Sequence, residues 1–178
     1  MKLISLFLVC LFLVGCVGVA TKNAPSGVPI PSDWRWTLRK KAQQNTAQMM
    51  QSRLVDPNAL YVNKHIQHFP TGDRVGFTFF RFWPDGHFLY RNIAIKDREP
   101  TAIDGDQWRG LCQIGYYVIS GDRIKIEMYR WDNVMIRAEG LITFECITFD
   151  IRSMGRKIEM KFVRKPFPPG AMQRIPDW

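Results

Sequence analysis

The chain lacks the residue patterns that usually carry chemistry. Ser120-Gly121-Asp122 is not a nucleophile elbow, because the Gly-x-Ser-x-Gly frame is missing. No glycine-rich phosphate loop occurs either. Histidine appears three times, as His65-x-x-His68 and as His87 near Asp85. That falls short of the three or four converging donors that hold a metal. The acidic pairs Asp104 with Asp106 and Glu127 with Glu139 read as solvated loop and strand-surface charges. Acid is scarce overall, with 16 Asp and Glu against 25 Lys and Arg. The long apolar run Leu3 to Val14 has 12 residues. At a 1.5 Å rise per residue it reaches only ~18 Å as a helix, against a hydrocarbon layer of ~30 Å. These absences leave no catalytic residue, metal site or cofactor to assign, and they argue against an enzyme.

What is present suits one packed domain with an address in front of it. The chain has 178 residues, 46% hydrophobic and 13% aromatic, enough for a real core. Lys2 and the apolar run after it read as a secretory leader, to be set aside from the fold. Its end, Leu13-Val14-Gly15-Cys16, resembles the lipobox of bacterial lipoproteins. The resemblance implies cleavage after residue 15 and a lipid-modified Cys16, holding the protein to a membrane through two or more acyl chains. It also implies a place in the bacterial cell envelope. Val17 stands where inner-membrane lipoproteins commonly have Asp, so the outer membrane is favoured over the inner. The alternative is an uncleaved signal anchor from Leu3 to Ala20. Removing residues 1–15 leaves 24 basic and 16 acidic residues, dispersed along the chain. In an exported protein this charge serves solubility and adhesion to anionic envelope surfaces, not nucleic-acid binding.

Val17 to Pro31, with Pro25, Gly27, Pro29 and Pro31, reads as a tether of about fifteen residues. Ser32 and Asp33 then signal a helix start, and Trp34, Leu38 and Ala42 recur at helical spacing until Asp56-Pro57 ends the pattern. Arg35, Arg39, Lys40 and Lys41 fit a membrane-surface helix or, better, a helix packed on the main domain with its charges in water. From Ala59 the period becomes two. Eight strands are expected at Ala59–Asn63, Val75–Trp83, Phe88–Ile95, Leu111–Ser120, Arg123–Arg130, Val134–Thr143, Cys146–Arg152 and Arg156–Arg164. Pro84-Asp85-Gly86 and Gly121-Asp122 supply tight turns. Short connections make neighbours antiparallel. A 23-residue echo places Ile142, Ile147 and Phe149 on Ile119, Ile124 and Ile126, which implies two similar hairpins with their turns at the same end. The expected fold is mainly β: an eight-stranded antiparallel up-and-down barrel or curled sheet with one N-terminal helix. The units are a signal peptide (1–15), lipidated cysteine and tether (16–31), helix (32–56), β domain (57–165) and Pro-rich tail (166–178).

Alternation places Tyr117, Ile119, Ile124, Ile126 and Met128 on one face, and Phe80, Phe82, Phe88 and Tyr90 on one face of the preceding hairpin. Phe77, Phe79, Cys112, Ile114 and Tyr116 make the opposite face apolar as well, so either the helix or the tail after Lys165 must cover it. The phrases Phe80-Arg81-Phe82-Trp83-Pro84-Asp85-Gly86, Gly115-x-Tyr117-x-Ile119 and Gly140-x-Ile142 resemble bacterial lipocalin-like lipoproteins over about 59–165. The resemblance implies a calyx for a small apolar or amphiphilic ligand, with Phe80, Phe82, Phe88, Tyr90, Tyr117, Ile126 and Met128 as candidate lining. The other reading is a filled barrel acting as a structural or adaptor lipoprotein through contacts with envelope proteins. With Cys10 in the leader and Cys16 lipidated, Cys112 and Cys146 remain. They fall three strands apart, ~14 Å at ~4.8 Å per strand, beyond disulfide reach, so two free and partly buried thiols are expected.

Overall fold

The computed structural model describes residues 21–24, 27, 29–31, 36–93, 98–107, 112–130, 134–153 and 156–178. The leader, Cys16 and Ser32-Asp33 lie outside the described residues, and the helix begins later than expected, at Leu38 with Thr37 before it. Two short strands, β1 (Thr21–Asn23) and β2 (Pro29–Pro31), pair ahead of helix α1 (Leu38–Ser52). Eight strands follow: β3 (Ala59–Phe69), β4 (Gly72–Phe82), β5 (His87–Ile93), β6 (Cys112–Ser120), β7 (Arg123–Tyr129), β8 (Met135–Ile142), β9 (Cys146–Ser153) and β10 (Arg156–Pro166). A one-turn helix, α2 (Ala102–Asp106), sits between β5 and β6. The eight strands pair in chain order, all antiparallel, and β10 closes on β3 to complete the barrel.

The two-residue period generates this directly. Ile119 pairs with Ile124 and Tyr117 with Ile126 across Gly121-Asp122, and Phe80 pairs with Tyr90 and Phe82 with Phe88 across Pro84-Asp85-Gly86. Gly86 and Gly121 take positive φ (89° and 60°), as those turns require. The Ile142 N–H donates to the Asp122 carbonyl at 2.8 Å, so the β6–β7 and β8–β9 turns do share one end of the barrel. Gly115 faces inward against Phe88; a β-carbon there would stand 2.7 Å from that ring and 2.0 Å from the Glu127 carbonyl. The absent side chain makes room for the phenyl ring.

The outer wall is clad twice. On β6 and β7, Trp36 meets Tyr116 edge-on at 5.0 Å between ring centres, and Ala42 of α1 is fully buried. On β3 to β6, Leu60, Phe79, Leu89 and Ile114 are buried with Met172 and Phe167 of the tail. Helix and tail thus divide the covering between them.

Three expectations change. The described part of the tether is not a bare spacer: β1 and β2 pair, and Ala24 and Ile30 are buried in the outer cluster. Strand β3 runs six residues beyond Asn63, because Lys64 to Phe69 pairs with Gly72 to Phe77 around the Pro70-Thr71 turn. By its terminal position alone the tail would be expected to fray, and it docks instead. The Trp83 indole N–H donates to the Arg174 carbonyl at 3.1 Å, and Trp178 lies against Trp83 and His87.

Candidate functional site

One end of the barrel is sealed. Tyr61, Phe82, Phe88, Tyr117, Ile119, Ile124, Ile142 and Ile147 are buried there. The Tyr117 hydroxyl donates to the Trp83 carbonyl at 2.8 Å, and burial pushes this phenol far above its ordinary pKa. The Tyr61 hydroxyl donates to the Leu54 carbonyl and accepts from the Asp56 N–H, both at 3.1 Å, tying the segment after α1 across that end. Asp56 is in turn ion-paired with Arg164. Both tyrosine hydroxyls that reach this floor find partners, which is what burial demands.

Phe80 is the hub above the floor. Its ring lies 4.8–5.6 Å from those of Phe82, Phe88, Tyr90, Phe149 and Phe162. On the far side of Phe80 the filling stops. A cavity of about 240 Å³ is walled by Phe80, Ile126, Met128, Phe149, Met160 and Phe162. Tyr90, Gln113 and Arg130 bring polar groups to its upper edge. The Gln113 Oε1 is buried with no hydrogen-bond partner. Such an unsatisfied acceptor costs about 1–3 kcal/mol unless something donates to it. Burial raises the Tyr90 phenol, an effect moderated by the neighbouring Thr78 hydroxyl, so it is a neutral donor at physiological pH.

Of the seven lining residues expected from alternation, Phe80, Tyr90, Ile126 and Met128 border this cavity. Phe82, Phe88 and Tyr117 face inward too, but they belong to the packed floor. Gln113, Arg130, Ile136, Ala138, Phe149, Met160 and Phe162 are the wall residues that reading omitted. Phe149 was visible in the internal echo, and Gln113 by its parity with Tyr117.

A second opening of about 440 Å³ continues from the first, sharing Tyr90 and Met160 and adding Asn63, His65, Thr78 and Asn92. All of these project to the inside of the barrel. His65 accordingly faces inward and His68 outward. His65 bonds to Gln67 at 3.0 Å and His68 to Asp73 at 2.7 Å, so the histidine pair does not converge. Cys112 and Cys146 are free thiols on β6 and β9.

Two of the expected surface carboxylates are buried. Glu127, on the outer face of β7, is fully covered and accepts from the Thr37 N–H at 2.7 Å, the Leu38 N–H at 2.9 Å and Arg137 at 2.9 Å. It caps the N-terminus of α1, whose own Thr37 side chain makes no cap. Asp104 is 4% exposed and takes two hydrogen bonds from Arg98 and two from Thr101. Asp106 pairs with the buried Arg81 and receives the Gln173 and Arg174 N–H groups, fastening the tail. The burial of Glu127 was not visible locally, because it depends on α1 docking from far along the chain, whereas the partners of Asp104 lie within six residues of it.

In class the molecule is a closed eight-stranded antiparallel β-barrel with one sealed end and an apolar cavity behind an open one. No known family model, curated protein or solved structure matches the chain.

Proposed function

We propose that this is a lipid-anchored cell-envelope protein, held through Cys16 and favouring the outer membrane, whose barrel is a non-enzymatic binding module. Its ligand is a small apolar or amphiphilic molecule, a use that fits the short sequence phrases around Phe80–Gly86, Gly115 and Gly140 that resemble lipocalin-like lipoproteins. The observation that carries the reading is the 240 Å³ apolar cavity above Phe80, edged by Tyr90, Gln113 and Arg130. An apolar body with a few convergent polar groups is the usual build of a small-ligand site, and at about 240 Å³ this one falls below the usual volume of about 300–1,000 Å³. The packed floor supports the rival reading, a filled barrel serving as a structural or adaptor lipoprotein. The rival leaves the upper cavity and the unsatisfied Gln113 acceptor without a role.

Displacement of an environment-sensitive apolar fluorophore tests the reading. Probe bound by the wild type and excluded by Ala138→Phe, with melting unchanged, supports the interior site. Equal binding by both proteins places the probe elsewhere. Cys16→Ser should release the protein from the membrane fraction, and retention would refute the lipid anchor.

A further inference from the structure

The barrel closes over short ladders at two places, β8 with β9 over three rungs and β3 with β10 over four. At the β3–β10 seam the rungs run from Ala59 with Pro166 to Val62 with Val163. Both strands run on toward the mouth, β3 to Phe69 and β10 back to Arg156. Each stays paired to its other neighbour, β3 with β4 as far as Phe69 and β10 with β9 as far as Arg156. Two intact ribbons therefore part company above Val62 and Val163, with no further rung between them among the described residues. The side chain of Asn63 bridges the point of parting, donating to the Lys161 carbonyl at 2.8 Å.

Continuing the register by two residues would set Lys64 directly across from Lys161. Like charges directly opposite on one face destabilise a strand pair, so a further rung here would bring two cations together. The slit opens inward on Asn63, His65, Ile158 and Met160, and through Tyr90 and Met160 it joins the apolar cavity. Outward it meets a surface groove of about 530 Å³ that includes Lys64, Lys161, Val62 and Val163. Two acids share this lining: Glu99 in the groove, paired with Lys165 at 2.7 Å and also feeling Lys64, and Glu159 in the slit. Lys64 and Lys161 are both exposed. A passage with a largely polar lining thus leads from the apolar cavity to the barrel's side, where two cations face each other.

We infer that the ligand lies across this seam, its apolar chain inside the barrel and an anionic head group, phosphate or carboxylate, between Lys64 and Lys161. This rests on the interior-site reading and adds to it the charge of the ligand and the side on which its head emerges. An anion between the two lysines relieves the repulsion that keeps the ribbons apart, so binding draws β3 and β10 together.

The test is calorimetric titration of the full chain, carrying Cys16→Ser to prevent acylation, with dodecyl phosphate, dodecanol and inorganic phosphate. Dodecyl phosphate should bind about tenfold more tightly than dodecanol, as one or two charge-assisted hydrogen bonds provide. The double variant Lys64→Glu with Lys161→Glu should erase that advantage and leave dodecanol binding unchanged. The inference is overturned if the advantage survives the lysine changes, if Arg130→Gln erases it instead, or if inorganic phosphate binds as well as dodecyl phosphate. Equal binding of dodecanol and dodecyl phosphate would remove the head-group site and spare the interior site. Binding of neither by the unsubstituted lysine protein would remove both.

Discussion

Glu127 and Thr37 stand 90 residues apart in sequence, and the Glu127 carboxylate accepts both the Thr37 N–H, at 2.7 Å, and the Thr37 hydroxyl, at 2.9 Å. A carboxylate on the barrel wall supplies the cap that the helix does not supply for itself. The favourable end of the helix dipole and the hydrogen bonds together offset the cost of burying the charge.

Removing that carboxylate should therefore cost more than removing its cationic partner. Glu127→Ala leaves the Thr37 and Leu38 N–H groups unpaired and should lower stability by about 2–4 kcal/mol in urea denaturation. Arg137, whose side chain is 60% exposed, should cost about 1 kcal/mol or less when replaced by Ala. Equal losses would show that the salt bridge, not the cap, matters.

Asp104 should govern the acid limb of stability. Burial pushes its carboxyl up, but the hydrogen bonds from Arg98 and Thr101 outweigh burial and bring it from 3.8 down to about 2. A folded-state value below the unfolded one gives stabilisation that is present above pH 3.8 and lost as pH falls through about 2. The contribution is about 2 kcal/mol. Urea midpoints measured from pH 5 to pH 2 should fall less steeply for Asp104→Asn than for the wild type. Parallel curves would show that other carboxylates set the limb.

The tail should protect a thiol. Cys112 is buried in the outer cluster with Met172 and Phe167 packed in the same cluster, and burial raises its pKa. In the native protein it should resist a thiol reagent, and deletion of residues 167–178 should make it react at least tenfold faster. No change in rate would show that the tail does not shield it.

Phe80 joins floor and cavity through five aromatic neighbours. Phe80→Ala should cost about 3–5 kcal/mol by thermal or chemical denaturation. A loss below about 1 kcal/mol would mean that the rings repack and that the hub is not structural.

The strands were legible in the sequence because their determinants are local. Ile119 and Ile124 flank a two-residue turn, and alternation then assigns Tyr117, Ile126 and Met128 to the inner face without tertiary information. Parity fixes the face of a residue but not its height along the barrel axis. Phe82, Phe88 and Tyr117 therefore could not be told from Phe80 and Tyr90 until the floor segment around Leu54 was placed. Glu127 read as solvated because nothing beside it in sequence announces α1, whereas the partners of Asp104 are local and Thr101, three residues before it, forms a capping box that the reading passed over. The seam was hidden for a related reason: the confrontation of Lys64 with Lys161 exists only once the register of β3 against β10 is known.

The most direct test of the account is native mass spectrometry of the protein purified from its own membrane. The wild type should carry a single-chain anionic amphiphile at one copy per chain, and Ala138→Phe, folded and equally lipidated, should carry none. A wild type as empty as the variant, or a variant that retains the same ligand, would contradict a binding site inside the barrel.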